Sequence, residues 1–516
     1  MSGIAPDRSV LTGDGSLSGS AGRLRGVSAN AVAAAGFVLY VLAWTVHGAI
    51  VSSGASLHFD VLEAYAWGQE FQFGYNQHGP FWAWIAGAWF QLFPKANTSF
   101  VLLEALNAAL GLWGAWRLTG LFASGPTRHA ATLLLVATPL YTVMAFKYNA
   151  NTIFVSLWPW TLFFFVRSLD RLSKLDALWF GIFAAFCILS KYYSIILLIT
   201  CAASLLFHPN GRRYILSPLP WLAAAVFALL VLPHLLWALR NDAPPVAYAM
   251  SISGNGWAFT LGYAARFVLE IALYEAGPAA IILLAWLLPK KGGGMEPAET
   301  LAPPRRRFLA VLVLLPPLLT VIFGIAFQLK ILPIMAVGTL PLMPLFLLQF
   351  APAIDGRRLL QFAGGVALAV TLLAAAGAPL EKAAAAKRGG RDPHRELAAH
   401  VTELWHAETH LPLRYAGGTI HYTDGISFYS EDHPSSFPDL SYRRARWITP
   451  EKLKQYGLAI ACLHQDTDCL GKAQGFLWGA WKQTSVKFER RGAKGTSVDE
   501  FDIFIVPPQS SAASGG

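Results

Sequence analysis

The chain has 516 residues, of which 55% are hydrophobic and only 14% charged, and its net charge is +10. A water-soluble domain normally carries about 25% charged residues, so this composition excludes an ordinary soluble protein and points to a bilayer. The Lys and Arg residues fall between apolar runs, where they set topology, so the positive balance does not indicate a nucleic-acid partner.

Residues 1–26 are rich in Ser and Gly and read as a disordered cytoplasmic N-terminus. Residues 27–379 read as a transmembrane module. The run Val27 to Val51 is too long for a signal-peptide core and makes an uncleaved first span. A span needs about 20 apolar residues, which predicts about eleven spans. They fall at 28–52, 99–122, 130–146, 152–169, 176–190, 193–207, 215–238, 262–288, 307–328, 332–350 and 359–379. The pair 176–190 and 193–207 is short and broken at Lys191; one kinked span there would flip everything after it. Two spans instead leave Arg128, Arg167, Arg171, Lys174, Arg212, Arg213, Lys290, Lys291, Arg305, Arg306, Arg307, Arg357 and Arg358 on the side of Arg23 and Arg25, the cytoplasm, as basic residues prefer. The expected fold class is a polytopic α-helical membrane protein with a small C-terminal α/β extracytoplasmic domain, residues 380–506, and a disordered tail, 507–516.

The outer face then carries a long juxtamembrane loop, 53–98. Asp60 and Glu63, three apart on a predicted helix, share one face. Asp-x-x-Glu is also close to a capping box, which is the structural alternative. His78, before Gly79-Pro80, is either a site residue or the end of a turn. Phe81 to Phe93 is apolar and Trp-rich but too short to span, and reads as an interfacial helix.

The pattern Asp60-x-x-Glu63-Ala64-x-x-Trp67-Gly68, Gly74-Tyr75 and His78-Gly79-Pro80 resembles the first periplasmic loop of GT-C superfamily glycosyltransferases. The nearest group is the glycosyltransferase 39-like proteins related to protein O-mannosyltransferases and lipid A aminoarabinose transferases. In that family the acids are adjacent and a proline stands where this chain has Gly79. The resemblance implies a multi-pass protein of the bacterial inner membrane, with its C-terminal domain periplasmic. It would transfer a sugar from a polyprenyl-phosphate donor to a lipid, glycan or protein acceptor. Asp60 would take the acceptor proton, with Glu63 orienting the acceptor or binding metal. The leaving lipid phosphate is already a stable anion, so only one of the two carboxylate roles of an inverting glycosidase is needed.

Lys147, Lys191 and Lys330 lie at the outer ends of apolar runs, where cations are costly and tend to be functional; Arg240 and Arg266 are further candidates for such positions. They suit a phosphate-bearing lipid, or else snorkel to headgroups. Lys191-Tyr192 looks like the family's Lys-Tyr tip. Asn149 and Asn151, in FKYNANT, stand where related proteins often have an aspartate; they suit sugar hydroxyls or cap the next helix, and weaken any metal bridge to the first loop. The metal question stays open, and no cofactor is clearly required.

In the C-terminal domain, LRYAG, GLAIACL and FDIFIVPP read as strands, with helices over 392–408, around 450–455 and around 468–480. Residues 381–391 read as a charged linker or helix start. His394, His400, His406, His410 and His421 read as solvated. Cys462 and Cys469 suit a disulfide in an oxidising compartment. The rival reading is a transporter or flippase for a lipid-linked sugar, to which Glu104, Arg266 and Glu270, the charges deep in apolar runs, would belong.

Overall fold

A computed structural model describes residues 29–254, 256–288, 297–351, 354–388, 392–493 and 495–509. The expected N-terminal segment 1–26, Lys290 and Lys291, and residues 510–516 of the expected tail lie outside the described residues. The chain divides into two compact units between Leu39 and Tyr40. The first contributes the apolar start of the first helix, and the second holds all other elements.

In chain order the helices are α1 (Ala29–Ser52), α2 (Phe59–Gly68), α3 (Phe81–Leu92), α4 (Asn97–Thr119), α5 (Gly125–Leu134), α6 (Phe154–Arg171), α7 (Lys174–Ser190), α8 (Ile195–Ser204), α9 (Gly211–Ile215), α10 (Leu219–Arg240), α11 (Pro244–Ser251), α12 (Trp257–Tyr274), α13 (Ala276–Leu287), α14 (Pro303–Ala326), α15 (Met343–Leu348) and α16 (Gly356–Lys387). Among the described residues six stretches are long and apolar enough to cross a membrane: Ala34–Ser52, Asn97–Thr119, Leu219–Arg240, Trp257–Leu287, Pro303–Ala326 and Gly356–Lys387.

Nine of the eleven predicted spans fall on helices, and two are broken. The run 130–146 ends as a helix at Leu134 and continues as two 3₁₀ turns, Leu135–Ala137 and Pro139–Tyr141. The run 332–350 is a 3₁₀ turn, Pro333–Ala336, followed by the six-residue α15. Each break sits at proline, which lacks the N–H that an uninterrupted helix requires. The charged segment 381–391 is no linker at its start, because α16 runs through to Lys387; its alanines favour helix.

α7 and α8 form a hairpin. Lys191 adopts an extended conformation at the end of α7, Tyr192–Ser194 make a 3₁₀ turn, and α8 returns. The return is marked by His208 Nε2, 3.0 Å from Asp170 Oδ1 at the far end of α6. Arg305 also binds Asp170, at 2.8 Å, and Arg167 binds Asp176 at 3.0 Å. These basic groups therefore gather at one end of the bundle, and the Lys191 turn lies at the other, about 25 Å along the 17-residue α7.

α2 and α3 cross at paired glycines. A Cβ on Gly68 would lie 2.6 Å from Gly87 N, and one on Gly87 would lie 2.2 Å from Gly68 O. Only glycine permits so close a backbone approach. Trp82 is fully buried beside them.

The C-terminal domain holds α17 (His394–Thr409), α18 (Ile420–Tyr429), α19 (Pro450–Tyr456) and α20 (Thr467–Ala473) around a five-stranded sheet. Its strands are β1 (Tyr415–Gly418), β2 (Ser435–Pro438), β3 (Leu458–Leu463), β4 (Lys482–Gly492) and β5 (Gly495–Val506), in the order β2-β1-β3-β5-β4. β1 runs parallel to β2 and β3, and β5 antiparallel to β3 and β4. Trp405, Ala461 and Ile503 pack one core, and Phe437, Ile460 and Phe504 another. A disulfide joins Cys462 to Cys469 within the second. The domain sits on α2: Gln69 Nε2 donates to Ser427 Oγ at 2.9 Å, Tyr65 meets Phe428 edge-on at 5.1 Å, and Ser435 Oγ donates to Glu70 Oε1.

Candidate active site

A cavity of about 240 Å³ opens where three distant segments meet. α2 and its loop supply Phe59, Asp60, Glu63, Gln77 and His78; the turn before α6 supplies Asn149, Ala150 and Asn151; α18 supplies Ile420, His421 and Asp424.

The capping alternative for Asp60 does not hold. His58 is the N-cap of α2, and its ring nitrogen accepts from Asp60 N at 3.2 Å. The Asp60 side chain is free to point outward, and its contacts converge on Oδ2: Lys147 Nζ at 2.7 Å, Asn149 Nδ2 at 3.4 Å and His58 Nδ1 at 3.9 Å.

Asn149 also shapes its own turn. Its Oδ1 accepts from the backbone N–H of Asn151 at 2.8 Å and of Thr152 at 3.1 Å. That turn presents Asn151 Oδ1 to Lys191 Nζ, 2.7 Å away. Asn149 is thus both a turn former and a partner of Asp60, and Asn151 serves a lysine rather than a helix end.

The Lys191 turn is held by contact with the first loop. A Cβ on residue 79 would lie 2.2 Å from Leu189 O, so glycine lets the 78–80 turn lie against the end of α7. That brings His78 and Lys191 together. His78 lines the cavity, and its backbone carbonyl also serves the turn, accepting from Tyr75 N at 3.3 Å.

Burial and mutual charge shift these groups. Burial raises Glu63 well above the usual carboxyl range, helped by Asp424 and Asp60. Burial raises Asp424 to about 6, against the hydrogen bond from Ser436 and the charge of Arg444. Burial lowers Lys191 to about 8, while Asp60 and Glu63 oppose the fall. Burial, then Lys191, lowers His78 to about 3, so its imidazole is neutral near pH 7.

Two predicted site residues lie elsewhere. Tyr192 turns to α10, its hydroxyl 2.6 Å from His234 Nε2, while His234 Nδ1 lies 2.6 Å from Phe73 O; it ties the loop to a helix. Lys330 is exposed over the ring of Tyr263, 5.3 Å from its centroid, outside the cavity lining. The span it was expected to end stops at Ala326, and the chain turns away.

The expectation of solvated histidines fails at one position, His394. His394 is buried, with neither ring nitrogen hydrogen-bonded among the described residues, whereas His421 is exposed and also lines the cavity. His421 and Asp424 were missed because IHYTDGISFY carries no helix signal stronger than its aromatic and β-branched content, which favours strand. Among the described residues no group of three or more His, Cys, Asp or Glu is arranged to hold a metal. The charges that a transporter would need have structural partners: Glu104 accepts from Tyr148 N at 2.9 Å, and Arg266 pairs with Glu270 at 2.6 Å.

A multi-pass helical bundle with an acidic helix, cationic helix tips and an appended α/β domain has the GT-C fold, and the similarities to known proteins support a membrane glycosyltransferase of that superfamily. Residues 77–237 match the family described as dolichyl-phosphate-mannose-protein mannosyltransferase. The lipopolysaccharide core galacturonosyltransferase RgtB of Rhizobium johnstonii is 27% identical over 451 residues, 82% of this chain and 87% of that protein. The fold is similar to that of ArnT from Cupriavidus metallidurans. The structure bound to undecaprenyl phosphate gives a TM-score of 0.58 at 13% identity, over 95% of this chain and 100% of that one. The apo structure gives 0.55 at 15% identity over the same shares.

Proposed function

We propose that the protein transfers a sugar, with inversion, from a polyprenyl-phosphate donor to a saccharide of the lipopolysaccharide core or lipid A, on the periplasmic face of the bacterial inner membrane. The observation that carries this reading is the convergence of Asp60 with Lys147, and of Lys191 with Asn151, beside one cavity.

The acceptor hydroxyl gives its proton to Asp60 as its oxygen attacks the anomeric carbon. The bond from that carbon to the phosphate oxygen breaks, and the lipid phosphate departs with the electron pair. Because Lys147 holds Oδ2, Oδ1 is assigned to the acceptor proton. Lys191 is placed to stabilise charge growing on the leaving phosphate. Neutral His78 and Asn151 supply hydrogen bonds beside it. Burial holds the Glu63 proton more tightly than in an ordinary carboxyl, and in its protonated form the group can donate to a sugar hydroxyl. The RgtB relative makes a polyprenyl-phosphate hexuronic acid the first donor to try.

The test is transfer by the purified full chain from that donor to lipopolysaccharide core, read as the mass increment of one sugar. Release of polyprenyl phosphate in step with the increment is expected. Movement of intact donor across a vesicle membrane without any increment would favour the flippase reading instead.

A further inference from the structure

α18 lies along α2 in a fixed register. His421 meets Phe59 edge-on at 4.7 Å, Phe428 meets Tyr65 at 5.1 Å, and Asp424 falls between these two contacts, on the cavity wall shared with Glu63. The C-terminal domain is therefore one wall of the cavity.

Asp424 is 5% exposed, a costly place for an acid without a purpose. Ser436 Oγ donates to its Oδ1 at 2.6 Å, which fixes the carboxyl group while it still lines the cavity. Glu63, one helical turn from Asp60, lines the same cavity. Two carboxyl groups on one cavity wall suit the vicinal hydroxyls of a pyranose, and the Phe59–His421 pair offers an aromatic rim.

The donor phosphate is tied to the bilayer and belongs with the Lys191 tip. The wall built by the C-terminal domain meets what arrives from the aqueous side. We infer that Asp424, with His421, forms an acceptor-saccharide subsite on the C-terminal domain and sets which hydroxyl is presented to Asp60. This rests on the glycosyltransferase reading above.

The experiment uses the full-length protein in lipid nanodiscs, a polyprenyl-phosphate hexuronic acid as donor and deacylated lipopolysaccharide core oligosaccharide as acceptor probe. Asp424→Asn should raise KM for the oligosaccharide tenfold or more, leaving KM for the donor within twofold and kcat within about threefold. His421→Ala, at an exposed position, should raise the acceptor KM about threefold with an unchanged melting temperature. An equal rise in both KM values, or an unchanged acceptor KM in a folded Asp424→Asn protein, would overturn the inference. Should Asp424→Asn fail to fold, the His421→Ala result decides: an unchanged acceptor KM there overturns it too. Asp60→Asn run in parallel separates the two claims, because its inactivity keeps the catalytic reading whatever Asp424 does.

Discussion

Lys191 Nζ reaches Asn151 Oδ1 at 2.7 Å, joining the tip of the α7–α8 hairpin to the turn that also holds Asp60. Residues 40 positions apart thereby set the distance between the proposed base and the proposed phosphate-binding cation.

Replacing that cation should lower turnover more than binding. Lys191→Met is expected to reduce kcat about 10²–10³-fold, the range seen when one preorganised stabilising group is lost. Asn151→Ala, which frees the ammonium without removing it, should cost about tenfold or less. Steady-state kinetics with purified lipid donor distinguish the two.

The same lysine sets an alkaline limit. Burial brings Lys191 down to about 8, with Asp60, Glu63 and His78 around it. A lysine is charged below its pKa, so activity should be retained below pH 8 and fall as pH rises through it. Lys191→Arg, whose guanidinium stays charged, should move that limb above pH 9 while lowering the maximum. A pH profile of kcat on both proteins checks this.

Gly79 tests the packing behind the site. Gly79→Ala places a methyl group against the Leu189 carbonyl and should destabilise the protein by about 1–3 kcal/mol, as overpacking typically does. Gly262→Ala, with nothing within 4 Å, should leave the melting temperature unchanged or slightly raised. Thermal unfolding in one detergent compares them.

The Cys462–Cys469 bridge makes topology measurable. Removing a disulfide that closes so short a loop should cost about 2 kcal/mol. Native protein from membranes should resist alkylation at both cysteines and gain two labels only after reduction, as expected of an oxidising compartment. Labelling without reduction would place the domain on the cytoplasmic side.

Much of this arrangement was readable from residue spacing. Asp60 and Glu63 on one face, the break at Lys191 and the strands around Ala461 and Ile503 follow from periodicity and misplaced charge. What could not be read depends on contacts between distant segments. Nothing local in IHYTDGISFY says that His421 and Asp424 will face α2. Lys330 has the same sequence credentials as Lys191, yet it ends beside Tyr263 because the 332–350 run breaks at its prolines. β4 was missed because KQTSVKFERRG is largely polar and gains its place by pairing with β5.

The central claim is that Asp60 is the base. The direct measurement is transfer of sugar by Asp60→Asn, in a preparation whose melting temperature matches the wild type. A loss of about 10²–10⁴-fold in kcat, with donor binding retained, is the predicted result. Turnover within a few-fold of wild type in that folded variant would contradict it.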